Sequence, residues 1–200
     1  MRRTRIADAP NSVVPRPDHL LTLSEWSQLP EDGRCCRELV DGVLLVVPQP
    51  PRHQLAVWRL AAQLEPALPP PLAALARIEL VVDDGTPPTV RVPDVLVVGG
   101  AAGAAHASRV RPADVVAAIE LVAPGSRRTD RIMKFAEYAE AGIEHYWLLD
   151  LDDPVRLTTN RLDGTRYEPT GEYTGTVSLD LNGTAVALDL NALTALRSSV

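Results

Sequence analysis

Residues 115–122 read Val-Val-Ala-Ala-Ile-Glu-Leu-Val, an almost unbroken apolar run. A run like this belongs to a strand buried at the centre of a sheet, where both faces are covered. Its one interruption is Glu120. A carboxylate inside an apolar strand is costly unless it is paired or bound to a cation. The stretch Val-Pro-Asp-Val-Leu-Val-Val at 92–98 poses the same problem through Asp94.

The rest of the chain arranges itself around those runs. Leu21 to Leu29 reads as a short helix, with Thr22 or Ser24 as its cap and Pro30 as its end. Arg37–Val40, Asp41-Gly42 and Val43–Val47 form a hairpin signal, because Asp-Gly supplies the positive φ of a tight turn. From Arg52 to Leu68, apolar Leu55, Ala56, Leu60, Leu64 and Leu68 recur at helical spacing until Pro69-Pro70-Pro71. Ile78–Val82 and Val90–Val98 are expected strands, and 99–113 a Gly/Ala-rich loop. Asp130 to Ala141 is an expected helix with Asp130 as N-cap, Ile132, Phe135, Ala136 and Ala139 on its apolar side, and Gly142 as its stop. His145–Asp150 is the next strand, with Tyr146 and Trp147 in the core. Strands at Val155–Arg161, Arg166–Pro169, Thr176–Leu181 and Ala185–Leu190 follow. The pattern predicts an α/β (α+β) domain: a mixed central sheet flanked by helices, with antiparallel hairpins at both ends. Residues 1–18 are expected to be a disordered arm and 19–195 a single domain.

Composition narrows the function. A hydrophobic content of 46% marks a globular chain. No apolar run is long enough for a bilayer, so no membrane role is expected. Cys35 and Cys36 are adjacent, which excludes a disulfide framework, and there is no Cys-x-x-Cys zinc pattern; a cytoplasmic location follows by default. The net charge of −6 argues against a non-specific nucleic-acid coat, although it leaves room for local basic patches at Arg127, Arg128 and Arg131 and at Arg109 and Arg111. Gly99-Gly100 and Gly103 lack the Gly-Lys-Ser/Thr ending of a phosphate loop, so no nucleotide cofactor is expected. No Gly-x-Ser-x-Gly elbow is present.

One residue stands out chemically. Lys134 is the only lysine, against nineteen arginines. An ammonium is a compact point charge with a tunable pKa, and arginine is not its equivalent. Asp94 and Glu120 are hard oxygen donors suited to Mg²⁺. A divalent ion acidifies a water, and a nearby ammonium can orient that water or stabilise charge on phosphorus. Taken one at a time the residues have plainer explanations: ion pairs to arginines for Asp94 and Glu120, a surface strand position for Glu38, an exposed helix start for His53, a solvated helix face for Lys134. The two carboxylates and the sole lysine together favour a metal-dependent hydrolytic site.

Five ordered stretches then resemble the Uma family of restriction endonucleases, within the PD-(D/E)XK nuclease superfamily. They are Glu38-Leu39-Val40-Asp41-Gly42-Val43, His53 at a helix start, Pro93-Asp94-Val95, Ile119-Glu120-Leu121-Val122-Ala123-Pro124-Gly125-Ser126, and Asp130 to Asp150 with Lys134, Tyr138 and Ala141-Gly142-Ile143. The tail from Val177 to Leu193 is similar to the family's closing hairpin. The resemblance implies Asp94 and Glu120 as metal ligands with the Leu121 carbonyl as a candidate third. It implies Glu38 as an additional acid, and Lys134 as the catalytic lysine moved from position 122, where Val122 stands, to the following helix. Asp130 and Lys134 share a helix face by i, i+4 spacing. The motif Ala123-Pro124-Gly125-Ser126 departs from the family's more frequent Ser-Pro-Ser-Thr. The expected cofactor is Mg²⁺ (or Mn²⁺) and the expected partners are DNA and a second copy of the chain in a homodimer. Arg127, Arg128, Arg131 and His53 are the candidate phosphate contacts. The competing expectations are a catalytically inactive nuclease-fold protein that binds nucleic acid or acts as an assembly partner, and a purely structural α/β domain.

Overall fold

The computed structural model describes residues 17–30, 36–47, 49–100, 109–123 and 126–195. The expected N-terminal arm, apart from Pro17 and Asp18, lies outside them, as do Cys35, Gly103, Pro124 and Gly125. Helix α1 (Leu23–Gln28) starts at Thr22, which forms a reciprocal capping box with Glu25. Strands β1 (Cys36–Val40) and β2 (Val43–Val47) form the expected hairpin. Asp41 and Gly42 both have positive φ, 49° and 76°, as a primed turn requires.

Helix α2 (Pro51–Leu64) begins on a proline at its first position and runs into a 3₁₀ turn at Glu65–Ala67. Its inner face carries His53, Ala56, Val57, Leu60, Ala61 and Leu64, whereas Leu55, expected inside, is 48% exposed. Strand β3 (Ala73–Ala76) follows. Its four residues are alanine and leucine, weak strand formers after a proline run, and sequence periodicity did not reveal it.

Then come β4 (Glu79–Asp83), β5 (Thr89–Arg91), β6 (Val95–Val98), β7 (Arg109–Val110), a 3₁₀ turn at Pro112–Asp114 and β8 (Val115–Val122). The single strand expected over Val90–Val98 is therefore two strands. Pro93 has no N–H to give to a ladder, so the chain leaves one sheet at Arg91 and joins another at Val95. Asp94 sits at that crossing.

Helix α3 (Lys134–Glu140) is entered through a π turn at Thr129–Met133, with the Lys134 N–H donating to the Thr129 carbonyl. Such turns often mark functional positions. Strands β9 (His145–Asp150), β10 (Arg156–Asp163), β11 (Arg166–Thr174), β12 (Thr176–Leu181) and β13 (Thr184–Asp189) and the short helix α4 (Leu190–Thr194) complete the chain.

Two sheets result. One has the order β2-β1-β5-β4-β7, the other β11-β10-β9-β8-β6-β3, and β12 and β13 pair with each other. As its composition demands, β8 is central: it runs parallel to β9 and antiparallel to β6. Ala117, Ile119 and Leu121 pack toward α2 and the β12–β13 hairpin. Ala118 and Val122 pack on the opposite side with Tyr138, Ile143, Tyr146 and Tyr167. Strand alternation sends Glu120 to that second side, under α3.

The α1 segment closes over the β1–β2 turn, where Leu21 N–H donates to Gly42 O at 2.7 Å. A Cβ at Gly42 would lie 2.8 Å from the Leu20 Cβ, at a φ of 76° that disfavours L side chains. We expect Gly42→Ala to lower the unfolding free energy by about 2 kcal/mol, read as a fall in the urea midpoint at unchanged slope. A midpoint equal to wild type would show that the turn relaxes freely.

Candidate active site

Several elements bring their polar side chains to one buried spot. Glu120 comes from β8 and is 2% exposed; Lys134, at the start of α3, is 5% exposed. The Lys134 ammonium donates to Glu120 Oε1 at 2.8 Å and lies 3.1 Å from Glu38 Oε1 on β1. Asp130, in the π turn, is 3.8 Å away. Tyr138, one turn further along α3, donates its hydroxyl to the same Glu120 oxygen at 3.1 Å.

Helix α3 is rotated from the expected orientation. Asp130, Lys134 and Tyr138 face the sheet, while Ile132 is 61% exposed and Ala136 is exposed too. Burying Ile132 would contribute about 1.5–3 kcal/mol. Leaving buried carboxylates without their cation would cost about 3–5 kcal/mol. The charge decides the rotation. Asp130 is not an N-cap but a buried carboxylate that accepts a hydrogen bond from the Ser126 hydroxyl.

Glu38 is anchored by a residue that sequence reading missed. Arg91, the last residue of β5, is fully buried; it donates to Glu38 Oε2 at 2.9 Å and, through two nitrogens, to both oxygens of Glu137 at 2.7 and 2.6 Å. This fork ties β5 to β1 and to α3. Its signal was present: a cation inside Thr-Val-Arg-Val-Pro-Asp has the same cost as an anion there, and Glu137 follows Lys134 at i+3.

Asp94 completes the spot from the β5–β6 crossing. Its Oδ2 accepts the Leu121 N–H at 2.9 Å and lies 3.1 Å from His53 Nε2. His53, in the first turn of α2 and 8% exposed, also reaches the Leu121 carbonyl at 2.9 Å. Neither Asp94 nor Glu120 pairs with an arginine among the described residues. Asp94 Oδ1 and Glu120 Oε2 accept no hydrogen bond there.

Four carboxylates, Glu38, Asp94, Glu120 and Asp130, are thus buried with two permanent cations, Lys134 and Arg91. Burial, with Asp94, Asp130 and Glu38 as like charges, raises the Glu120 pKa well above the usual carboxylate range, even against Lys134. Burial also raises Asp130 despite Lys134 and Ser126. Burial opposes ionisation of Glu38 as well, but Lys134, Arg91 and the Val92 N–H outweigh it and hold its pKa low. Lys134 is desolvated, yet Glu120, Glu38 and Asp130 raise its pKa, so it stays an ammonium. The Cys36 thiol is pushed up to about 12 by burial and the Glu38 charge, which leaves it unreactive.

No three His, Cys, Asp or Glu side chains among the described residues already converge on one cation position. What stands ready is a set of oxygen donors with an excess of negative charge: Asp94, Glu120 and the Leu121 carbonyl. That donor set suits a hard divalent ion. The candidate phosphate contacts Arg127, Arg128 and Arg131 are exposed on the segment around Asp130; Arg127 pairs with Asp152 at 2.9 Å, and Arg131 lies 3.6 Å from Asp150. Of the other basic pair, Arg109 binds Glu79, and Arg111 binds Asp84 at 2.9 Å.

Comparison with known proteins bears on this arrangement. The sequence profile of the Uma2 family, described as "Putative restriction endonuclease", matches residues 16–192. No curated protein matches the chain. A solved structure from Anabaena variabilis, titled as a putative nuclease belonging to DUF820, shares the fold with a TM-score of 0.66. It is 18% identical, and the match covers 87% of this chain and 97% of that one.

Lys134→Met leaves Glu120 and Glu38 buried without their shared ammonium, and we expect a loss of about 3–5 kcal/mol at pH 7.5. Glu120 binds a proton more readily in the folded state than in the unfolded one. Acidification therefore neutralises it first in the folded protein, and the penalty shrinks toward pH 5. Urea unfolding at the two pH values checks this; a penalty that grew on acidification would contradict the assignment of the charges.

Proposed function

The chain belongs to the Uma2 family, and from that premise we propose that it is a metal-dependent endonuclease that hydrolyses DNA phosphodiester bonds. The observation that carries the reading is the buried ammonium of Lys134 on Glu120 Oε1, beside an Asp94 carboxylate on the neighbouring chain segment. Asp94, Glu120 and the Leu121 carbonyl are the groups that would hold Mg²⁺ (or Mn²⁺). When bound, such an ion supplies an acidified water and a positive field over the phosphate.

The chain's own residues do the rest. Lys134 donates a hydrogen bond to the attacking water or to a phosphate oxygen as charge develops on phosphorus. The water oxygen bonds to phosphorus and gives up one proton to solvent while the bond to one sugar oxygen breaks, and that oxygen leaves with a proton taken from solvent. Glu38 keeps the ammonium pointed into the site, and Arg91 keeps Glu38 in place. The helix-borne Lys134 takes the part that a lysine at position 122 would have. Arg127, Arg128 and Arg131, exposed on the segment around Asp130, hold flanking phosphates. With a net charge of −6, DNA binding rests on this local patch and is weak and salt-sensitive. Cleavage of both strands calls for two such sites, which a homodimer supplies.

A second reading, a non-catalytic nuclease-fold protein, draws on one observation. Glu120 Oε1 is held by both Lys134 and Tyr138, so an incoming cation competes with two donors. Cleavage of supercoiled plasmid with Mg²⁺ or Mn²⁺ separates the two readings. We expect nicking by the wild type and a loss of about a thousandfold in Asp94→Asn, from removal of several kcal/mol of charge stabilisation, with melting behaviour retained. Equal cleavage by wild type and variant would place any activity outside this site.

A further inference from the structure

Resting on the reading that Asp94, Glu120 and the Leu121 carbonyl hold a divalent ion, we infer that His53 is a fourth ligand through Nε2 and that it biases the site toward Mn²⁺ over Mg²⁺. Three atoms carry this. His53 Nε2 lies 2.9 Å from the Leu121 carbonyl oxygen and 3.1 Å from Asp94 Oδ2. Adjacent ligands on one octahedral ion with bonds of about 2.1 Å are separated by about 3 Å. The ring nitrogen thus already stands at ligand spacing from both oxygen donors.

The ring is also held for that task. It is buried in the first turn of α2 and cannot turn to solvent. The neighbouring Arg52 donates to the Leu151 carbonyl at 2.6 Å, which fixes this turn against the end of β9. His53 Nδ1 is buried without a hydrogen-bond partner among the described residues. The two oxygens beside Nε2 hold the ring proton there; moving it to the unpartnered Nδ1 leaves a bare Nε2 for an ion. As the ring stands, Nε2 donates to Leu121 O and Asp94 Oδ2. A single ion between the three atoms would replace those contacts.

The choice of metal follows from the donor set. Mg²⁺ takes oxygen donors and keeps its waters, whereas a site with an imidazole favours first-row transition ions. Carboxylates and a carbonyl beside one imidazole suit Mn²⁺, which accepts both kinds of donor.

The test uses the full chain, Mn²⁺ alone and no DNA. Electron spin-echo modulation on the Mn²⁺-loaded wild type should show a directly bound imidazole nitrogen, altered by ¹⁵N-histidine labelling and absent in His53→Gln. Calorimetric titration should give Mn²⁺ at least about tenfold tighter than Mg²⁺, with that preference reduced in His53→Gln. The labelled wild type decides the matter even if the variant does not fold. Bound Mn²⁺ with no nitrogen coupling would overturn the inference and leave the metal site standing, with His53 as a hydrogen-bonding support for Asp94. No Mn²⁺ binding at millimolar ion would overturn the metal site and this inference with it.

Discussion

A lysine ammonium held between two buried carboxylates organises this molecule. Lys134 reaches Glu120 on the central strand and Glu38 on the first hairpin, and those strands belong to different sheets. An isolated charge at that depth would be untenable. The pairings are therefore constraints on the fold as much as parts of a site: they set the rotation of α3, expose Ile132 and draw β1 over the end of β8. Arg91 adds a second tie of the same kind, from β5 to both Glu38 and Glu137. The two sheets meet where the charges are, and the apolar clusters lie to either side.

The charge balance of that junction gives it a chemical direction. Four buried carboxylates accompany two permanent cations, and burial, reinforced by the like charges, raises the proton affinities of Glu120 and Asp130. A purely structural ion-pair network gains nothing from surplus anions, because each adds desolvation cost and mutual repulsion. A site meant to receive a divalent ion needs that surplus. His53 and Asp94 meet at the Leu121 backbone, whereas Lys134 and Tyr138 share Glu120 Oε1.

Several features were legible in the residues. The all-apolar character of 115–122 announced a central strand, and the cost of burying Glu120 and Asp94 marked both for pairing. Asp41-Gly42 specified its turn through backbone sterics, and Thr22 with Glu25 specified a helix start. The rarity of lysine singled out Lys134. The errors have physical causes too. Val90–Val98 looked continuous because valine and leucine recur on both sides of Arg91 and Asp94; the missing N–H of Pro93 and the demands of two separate sheets split it. Of the apolar stripe 132, 135, 136 and 139, Phe135 and Ala139 do pack into the core, but Ile132 and Ala136 face outward, because a hydrophobic count gives no weight to neutralising a buried carboxylate. Strand β3 went unseen because alanine carries almost no strand preference, and its place is decided by pairing with β6.

By itself, then, the amino-acid sequence determined which segments are buried, where the hairpin turns, and which acids and which lysine cannot sit idle. These follow from local sterics, periodicity and transfer cost, all properties of neighbouring residues. The tertiary structure alone decided that Arg91 clamps Glu38 to Glu137, that Asp94 falls at a crossing between sheets, and that His53 lies against Asp94 and the Leu121 carbonyl. Those contacts join residues far apart in the chain. Their register depends on how the sheets and helices pack, which no local pattern encodes.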